Sequence, residues 1–249
     1  MIKNSFIFID GITSKKEKLL WSQGIKDWDC FLAAKKIRGV SEKNRIIYNN
    51  NIECAKKALI ENDLELFLKF PSKEAWRLYN YLKSEALFLD IEVGKNYRDI
   101  IIVGLFDGIN TKIMVKNYNL DKNILINELK KYKLLVTYNG SCFDVPALEK
   151  FFGFRFNIPH FDLKHACLKI GLKGGLKVVE RQLNISRPNN LYGRPYDAYR
   201  AFLASGDKEY LELLIKYNEE DIINLKFLAD YCCKQLQSQT DKFLMSKHE

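Results

Sequence analysis

The sequence predicts a mixed α/β protein in which helices flank one sheet and a helical segment precedes it. Three observations support this fold class. The first 84 residues follow a helical pattern, and at Ala86 the hydrophobic period changes to that of extended strands. From there the elements run β-β-β-α-β-α and then continue as helices, which predicts a mixed sheet with helices packed on it.

The predicted helices of the first 84 residues are bounded by capping and turn residues. Thr13 and Ser14 offer N-cap side chains before the segment KKEKLLWSQG, which we expect to end at Gly24. A second segment, WDCFLAAKKI, is expected to close at Gly39. Two longer helices are predicted over residues 51–70 and 72–82.

From Ala86 the pattern is that of strands, followed by alternating strands and helices. The runs ALFLDIEV, DIIIVGLFDG and TKIMVKNY predict three adjacent antiparallel strands separated by turn residues. A helix over residues 121–131 leads to a buried type of strand, LLVTYN. The rest is predicted to be helical, with the segments PALEKFFGF, DLKHACLKI, GGLKVVERQL and DAYRAFLAS and a last helix over residues 208–237.

The composition is that of a globular chain and excludes several other classes. The 249 residues are 47% hydrophobic, show no low-complexity tract or repeat, and contain no apolar run near the roughly 20 residues that cross a bilayer. The first residues lack the features of a secretory signal, so we expect a cytoplasmic protein. Six scattered cysteines without zinc-like spacing are expected to be free thiols.

The chain is basic, with a net charge of +9 and a pI near 9.1. The excess lies mainly at the front, because residues 1–84 hold 16 basic and 10 acidic side chains. Lysines over a phosphate backbone gain affinity by releasing counterions, so a nucleic-acid partner is compatible with this charge. Many basic proteins bind no nucleic acid, so the charge alone does not decide.

Two acidic residues interrupt the first predicted strand, where charges are costly. Asp90 and Glu92 alternate in FLDIEV and therefore leave the same side of the strand. Two carboxylates that close in a half-buried place repel each other and raise each other's pKa unless a cation compensates them. A divalent cation is one such compensation. The alternative is an edge strand with one solvated face.

A third acid follows the fourth predicted strand. In LLVTYNGSCFDVPALEKFF the strand ends at Asn139 and Gly140, and Asp144 enters the first turn of a helix that Pro146 is suited to begin. An Asp at this place is often only a helix cap. A fourth acid, Asp221, lies on the last helix.

Asp221 shares a helical face with Tyr217, four residues before it. Apolar residues occupy the adjacent positions of this helix, so the aspartate is expected on the buried side, where it needs a partner. For the tyrosine, simple packing in the core is the alternative.

Together, D-x-E in a strand, N-G-x-x-F-D-x-P at a strand-to-helix junction and Y-x-x-x-D on a late helix resemble the DEDD superfamily of 3′-to-5′ exonucleases, in its tyrosine branch. The stretches NGSCFDVPAL, HFDLKH and GGLKVVERQLNISR, and the segment from RPYDAYRAFL to the last helix, look like ribonuclease-H-like exonuclease-related domains. The resemblance covers about residues 85–237 and implies a ribonuclease-H-like sheet.

The resemblance implies a metal-dependent 3′-to-5′ exonuclease that hydrolyses single-stranded DNA or RNA ends. Asp90, Glu92, Asp144 and Asp221 would bind two divalent cations, Mg²⁺ or Mn²⁺, with Asp90 bridging, and Tyr217 would hold the attacking water. The alternative is a catalytically inactive nucleic-acid-binding or scaffolding module with the same fold.

Three further residues are candidates for substrate binding. Asn139 and Phe143 would touch the nucleotide, and Lys177 would contact the substrate unless it is simply a solvated lysine. His160 and His165 are expected to be cap or surface residues and are left out of the site.

The chain is expected to divide at residue 84. Residues 1–84 would form a helical N-terminal segment, and residues 85–249 the ribonuclease-H-like exonuclease domain. Within the front segment, GITSKKEKLLWSQGIKDWDCFL looks like half of a helix-hairpin-helix, whose turn would offer backbone N–H groups to a phosphate. Simple helix packing is the alternative.

Overall fold

The computed structural model describes residues 1–63, 65–94, 99–188 and 195–245. The strands in this part of the chain are β1 (Ala86–Val93), β2 (Ile100–Phe106), β3 (Thr111–Val115), β4 (Leu134–Thr137) and β5 (His160–Asp162). The helices are α1 (Ser14–Trp21), α2 (Trp28–Ala33), α3 (Glu42–Glu61), α4 (Trp76–Leu82), α5 (Lys122–Leu129), α6 (Asp144–Phe152), α7 (Leu163–Lys169), α8 (Leu176–Gln182), α9 (Pro195–Ser205) and α10 (Lys208–Met245). Short 3-10 helices lie at Ile2–Asn4, Glu65–Lys69 and Lys83–Glu85.

The five strands form one mixed sheet in the order β3-β2-β1-β4-β5. β1 pairs antiparallel with β2 and parallel with β4, while β3 extends the antiparallel side and β5 the parallel side. β1 is therefore the central strand. This sheet confirms the predicted mixed α/β fold with flanking helices, including the three adjacent antiparallel strands.

The two faces of the sheet bury different side chains because alternate residues of a strand point to opposite sides. On one face, Leu87 and Leu89 of β1 pack with Leu125 of α5 and Leu148 of α6 in one apolar cluster. On the other face, Phe88 belongs to a second cluster. That second cluster also contains the buried apolar residues of α10, so the face of β1 that carries Phe88 is the one that α10 covers.

The front segment packs on this same α10 side. Phe6, Trp28 and Ile52 are buried in the same apolar cluster as Phe88. Tyr79 of α4 connects the two parts directly, with its ring centroid 6.4 Å from that of Phe88. The helices of residues 1–84 therefore cover the sheet instead of standing apart from it.

Several boundaries differ from the prediction, and capping explains the largest difference. α3 begins at Glu42, where Ser41 accepts a hydrogen bond from the backbone N–H of Asn44, and it ends at Asn62, whose φ of 59° is left-handed. The prediction of a helix over residues 51–70 was wrong in both limits. α2 also stops at Ala33, short of the predicted Gly39.

The prediction also missed β5 and the end of α10. β5 has only three residues and is defined by its parallel pairing with β4, so it is too short to show an alternating pattern in the sequence. α10 continues to Met245, eight residues beyond the predicted end. Within the described residues, no helix is long and apolar enough to span a bilayer.

A buried ion-pair network fixes the front segment. The guanidinium of Arg77 contacts Glu17 at 2.8 Å and Glu74 at 3.2 Å, and these three side chains are at most 6% exposed. Glu17 also accepts a hydrogen bond of 2.7 Å from the backbone N–H of Phe6. Burial raises the pKa of Glu17 even though the charge of Arg77 opposes this effect. Arg77 therefore pairs with two buried carboxylates, and Lys169 contacts the second of them, Glu74, at 2.7 Å.

Replacing Arg77 by Met should lower the free energy of unfolding by about 3–5 kcal/mol, because it leaves the buried carboxylate of Glu17 without its cation and Glu74 with Lys169 alone. Urea unfolding followed by circular dichroism measures the loss. Lys57→Met is the control, since it breaks a solvent-exposed pair with Glu61 and should cost under about 0.5 kcal/mol. Equal losses in the two variants would contradict the role of Arg77.

Candidate metal centre

The centre of the candidate site lies where β1 passes under α10. Asp90 and Glu92 occupy the side of β1 that faces α10, because they alternate with the residues of the opposite apolar cluster. Asp221 lies on the buried face of α10. One carboxylate oxygen from each of Asp90, Glu92 and Asp221 lies within 4.8 Å of the other two. The fold thus gathers three acids from positions 90 to 221 into one cluster.

Asp144 lies beside this cluster, on the first turn of α6. The N-cap position belongs to Phe143, which makes no capping hydrogen bond through its side chain. Asp144 instead accepts a hydrogen bond of 3.2 Å from the backbone N–H of Ile91 in β1. Its carboxylate therefore contacts the central strand at Ile91, between Asp90 and Glu92 in the sequence. Asp144 is thus not the helix cap that the sequence analysis gave as the alternative.

The carboxylates strongly perturb one another. Burial and the charges of Asp144, Asp221 and Glu92 raise the pKa of Asp90 well above its ordinary value. Burial and Asp221 raise the pKa of Glu92 to about 8, and burial raises that of Asp144 to about 7. Burial also raises the pKa of Asp221, against the opposing charge of a buried arginine, Arg187.

This arrangement fits a divalent cation. Carboxylate oxygens are the ligands that Mg²⁺ and Mn²⁺ prefer. Burial, and next to it the neighbouring negative charges, make the ionised carboxylates costly, and a bound cation would favour their ionised forms. Asp90, Glu92 and Asp221 could hold such a cation directly, with Asp144 adjacent.

A glycine and an asparagine orient Asp90, and the sequence prediction did not include them. Asn218 of α10 is fully buried and donates a hydrogen bond of 2.9 Å from Nδ2 to Oδ2 of Asp90. Gly104 of β2 lies directly opposite Asp90. A Cβ atom at Gly104 would lie 1.8 Å from Oδ1 of Asn218, so only glycine leaves room for this side chain. A glycine inside a fully buried strand is the signal that could have revealed it.

Tyr217 and Lys177 meet at the same cluster. Tyr217 is buried one turn before Asp221, and Nζ of Lys177 lies 5.0 Å from the centroid of its ring. The positive charge of Lys177 lowers the pKa of both Glu92 and Asp221, although burial outweighs it in each case. Lys177 is half-buried at the site instead of extending into solvent.

Asn139 and Phe143 lie in the loop between β4 and α6, which leads to Asp144. Asn139 has a left-handed φ of 65°, and its Oδ1 accepts a hydrogen bond of 3.0 Å from Nζ of Lys164. Phe143 is half-buried and packs against the apolar cluster of the α5 and α6 face. Their contact with a nucleotide stays a prediction.

Asp162, at the end of β5, anchors this loop. Its carboxylate accepts hydrogen bonds from the backbone N–H groups of Asn139 at 2.8 Å, Ser141 at 3.1 Å and Lys164 at 3.0 Å. The loop leads directly to Asp144, so Asp162 helps to fix where that carboxylate lies.

His160, expected at a cap or on the surface, instead lies in β5, where its Nε2 is 2.8 Å from the hydroxyl of Thr137.

Arg187 is the buried partner of Asp221, and the sequence prediction missed it. Its guanidinium contacts Asp221 and Glu180, and its side chain is 1% exposed. The expectation that a buried Asp221 needs a partner was the available signal. Arg187 lies 34 positions earlier, however, and no helical spacing relates the two residues.

The chain belongs to the RNase H superfamily. A family model described as RNase_H superfamily matches residues 87–233, which is more than half of the chain. This match confirms the ribonuclease-H-like fold that the sequence resemblance implied. All the acids of the candidate site lie within the matched range.

One solved structure similar to this chain is that of the family B DNA polymerase from the hyperthermophilic archaeon Pyrobaculum calidifontis. The two are 15% identical, with a TM-score of 0.47 over 66% of this chain. The match spans 26% of the polymerase chain, about a quarter of its length. No curated protein matches this chain.

Without divalent cations, the free energy of unfolding should fall as the pH rises from about 4 to about 8. The folded chain then retains protons on Glu92 and Asp144 that the unfolded chain, with ordinary pKa values near 4, has released. Each such proton contributes a slope of about 1.4 kcal/mol per pH unit.

Urea unfolding in EDTA at several pH values measures this slope. Glu92→Gln should flatten it, since glutamine does not titrate. Glu212→Gln, an exposed position of α10, should leave it unchanged. An identical slope in Glu92→Gln and the wild type would show that the acidic cluster does not cause the effect.

Gly104→Ala should destabilise the protein by about 1–3 kcal/mol, because the new methyl group overlaps the side chain of Asn218. Thermal unfolding measures the loss. The double variant Gly104→Ala with Asn218→Ala should recover part of it, since the smaller side chain removes the clash. Strictly additive losses would contradict this explanation.

Proposed function

We propose that this protein is a metal-dependent nuclease of the tyrosine-type DEDD class, a 3′-to-5′ exonuclease that hydrolyses phosphodiester bonds at single-stranded DNA or RNA ends. The convergence of Asp90, Glu92 and Asp221 within 4.8 Å carries the proposal. Asp144 against β1 and Tyr217 one turn from Asp221 complete the set of side chains that this class requires.

Four carboxylates are proposed to hold two divalent cations, Mg²⁺ or Mn²⁺: Asp90, Glu92, Asp144 and Asp221. Such cations would neutralise the phosphate, favour deprotonation of the attacking water and stabilise the leaving oxygen. Asp90 is proposed as the shared ligand because the other three acids all act on its pKa. Its hydrogen bond from Asn218 restrains one of its oxygens and so its orientation.

Tyr217 is proposed to orient the attacking water, since its position on the face of Asp221 brings its ring to the acidic cluster. Lys177 is proposed to contact the phosphate, because it is the cation whose charge acts on both Glu92 and Asp221 from the side of α8. The proximity of the β4–α6 loop to Asp144 supports contacts of Asn139 and Phe143 with the terminal nucleotide.

Residues 1–84 are proposed to be a helical segment that positions nucleic acid beside an exonuclease domain of residues 85–249. The excess of positive charge in this segment supports the proposal. Several of its basic side chains are exposed: Lys15, Lys18, Lys35, Lys36 and Arg38. Gly24, with φ of 84°, makes the turn between α1 and α2 that the helix-hairpin-helix resemblance requires.

Asp90→Asn and Asp221→Asn should each lower metal-dependent cleavage at least about 100-fold, because each removes a negative ligand from the cluster. The assay follows single-stranded DNA and RNA oligonucleotides, labelled in turn at the 3′ and the 5′ end, in Mn²⁺ and in EDTA. Circular dichroism checks that both variants are folded. Glu212→Gln, at an exposed position of α10, should cleave like the wild type.

Wild-type rates in both aspartate variants would refute the proposed site. Retention of single strands by the wild type without any metal-stimulated turnover would instead identify the inactive binding or scaffolding module. Shortening from the 3′ end only would support the proposed polarity, and internal cuts would contradict it.

A further inference from the structure

A buried ion-pair network includes Asp221 of the candidate metal centre and connects α8 to α10. Nε of Arg187 donates a hydrogen bond of 2.6 Å to Oε2 of Glu180, and Nη2 donates one of 2.5 Å to Oε1. The same Nη2 contacts Oδ1 of Asp221. The side chains of Arg187 and Glu180 are each 1% exposed, and that of Asp221 is 10% exposed.

We propose that Arg187 is a positioning residue for the metal centre: clamped by Glu180, it holds one oxygen of Asp221 and so presents the other oxygen to a divalent cation. This inference rests on the proposed function only in assigning Asp221 as a ligand. Arg187 acts through Asp221 and is not itself placed against substrate.

The local chain path explains how Arg187 reaches this place. α8 ends at Gln182, and Asn184 follows in a left-handed conformation with φ of 55°. The backbone N–H of Ile185 then donates a hydrogen bond of 2.9 Å to the carbonyl of Glu180. This turn reverses the chain, so that Arg187 returns alongside Glu180, seven positions earlier.

Glu180 fixes the plane of the guanidinium. Two parallel hydrogen bonds from an arginine to one carboxylate restrain rotation far more than a single contact does. Nδ2 of Asn224, three residues after Asp221 on α10, donates a further hydrogen bond of 3.1 Å to Oε1 of Glu180. The Arg187–Glu180 pair therefore contacts α10 through both of its members: Arg187 through Asp221 and Glu180 through Asn224.

The charges of the network suit a ligand that must bind a cation. An isolated buried arginine beside Asp221 would compete with the metal for that carboxylate. Glu180 balances the charge of Arg187, so Asp221 gains a fixed orientation and keeps much of its attraction for a cation. Mutation of a partner that orients a metal ligand in this way typically lowers metal affinity or activity by roughly 10–100-fold.

Arg187→Lys separates geometry from charge, because lysine keeps the positive charge but cannot make the two-pronged contact with Glu180 while reaching Asp221. Isothermal titration with Mn²⁺ alone should show 10–100-fold weaker binding than in the wild type. On oligonucleotide substrate at a fixed Mn²⁺ concentration, kcat should fall while KM stays unchanged, since Arg187 does not touch the substrate.

Arg77→Lys is the matched control. Arg77 is also a buried arginine held by two carboxylates, Glu17 and Glu74, but it lies in the front segment. The Arg77→Lys variant should have a lower melting temperature, as Arg187→Lys does, but unchanged affinity for Mn²⁺. A purely structural role of Arg187 would make the two variants behave alike.

Glu180→Gln is the second variant, for the case in which Arg187→Lys does not fold. It keeps the shape of the side chain but releases the clamp and leaves the charge of Arg187 unbalanced, so Mn²⁺ binding should again weaken. Wild-type Mn²⁺ affinity in the folded variants, or equal weakening in Arg77→Lys, would overturn the inference.

The outcomes separate this inference from the proposed nuclease activity. If the wild type binds Mn²⁺ but cleaves no oligonucleotide, the proposed function fails, and weaker Mn²⁺ binding in the Arg187 and Glu180 variants would still support the positioning role. If the wild type binds no Mn²⁺, the inference is overturned whatever the cleavage assay shows.

Discussion

Repulsion among the carboxylates that converge on the central strand governs the architecture of this protein. Asp90 and Glu92 extend from β1 towards Asp221, and Asp144 rests on the backbone of the same strand. Burying like charges so closely raises their pKa values and costs stability. A fold optimised only for stability would not gather them. Their convergence is physically reasonable in a molecule that binds divalent cations, and membership of the RNase H superfamily agrees with this.

Much of the surrounding architecture holds those acids in place. Gly104 has no side chain, so Asn218 of α10 can lie over β2 and donate a hydrogen bond to Asp90. Asp162 gathers the backbone N–H groups of the loop that leads to Asp144. Arg187, held by Glu180, contacts the carboxylate of Asp221. Each acid that faces the cluster from a different element thus has its own orienting partner.

The predictions from sequence succeeded where a local pattern carries the information. Alternation in β1 put Asp90 and Glu92 on one face, and helical spacing put Tyr217 and Asp221 on one face of α10. The prediction failed for β5, which is too short to show a period, and for α3, whose limits depend on Ser41 and Asn62 as caps. The limits of α3 depend on two capping residues, and β5 depends on pairing with β4. A hydrophobicity pattern read over a window of residues shows neither.

Periodicity and chemistry at fixed spacings were enough to predict the order of the elements apart from β5, the mixed sheet and the residue types of an oxygen-rich metal site. The contact of Asn218 with Asp90 in the space left by Gly104, and that of Arg187 with Asp221, could be found only in the folded chain. Such contacts join residues more than 30 positions apart, and many polar residues of equal propensity compete for them. The packing of α8 and α10 on the sheet decides which of these polar residues come into contact, and a sequence pattern does not show that packing.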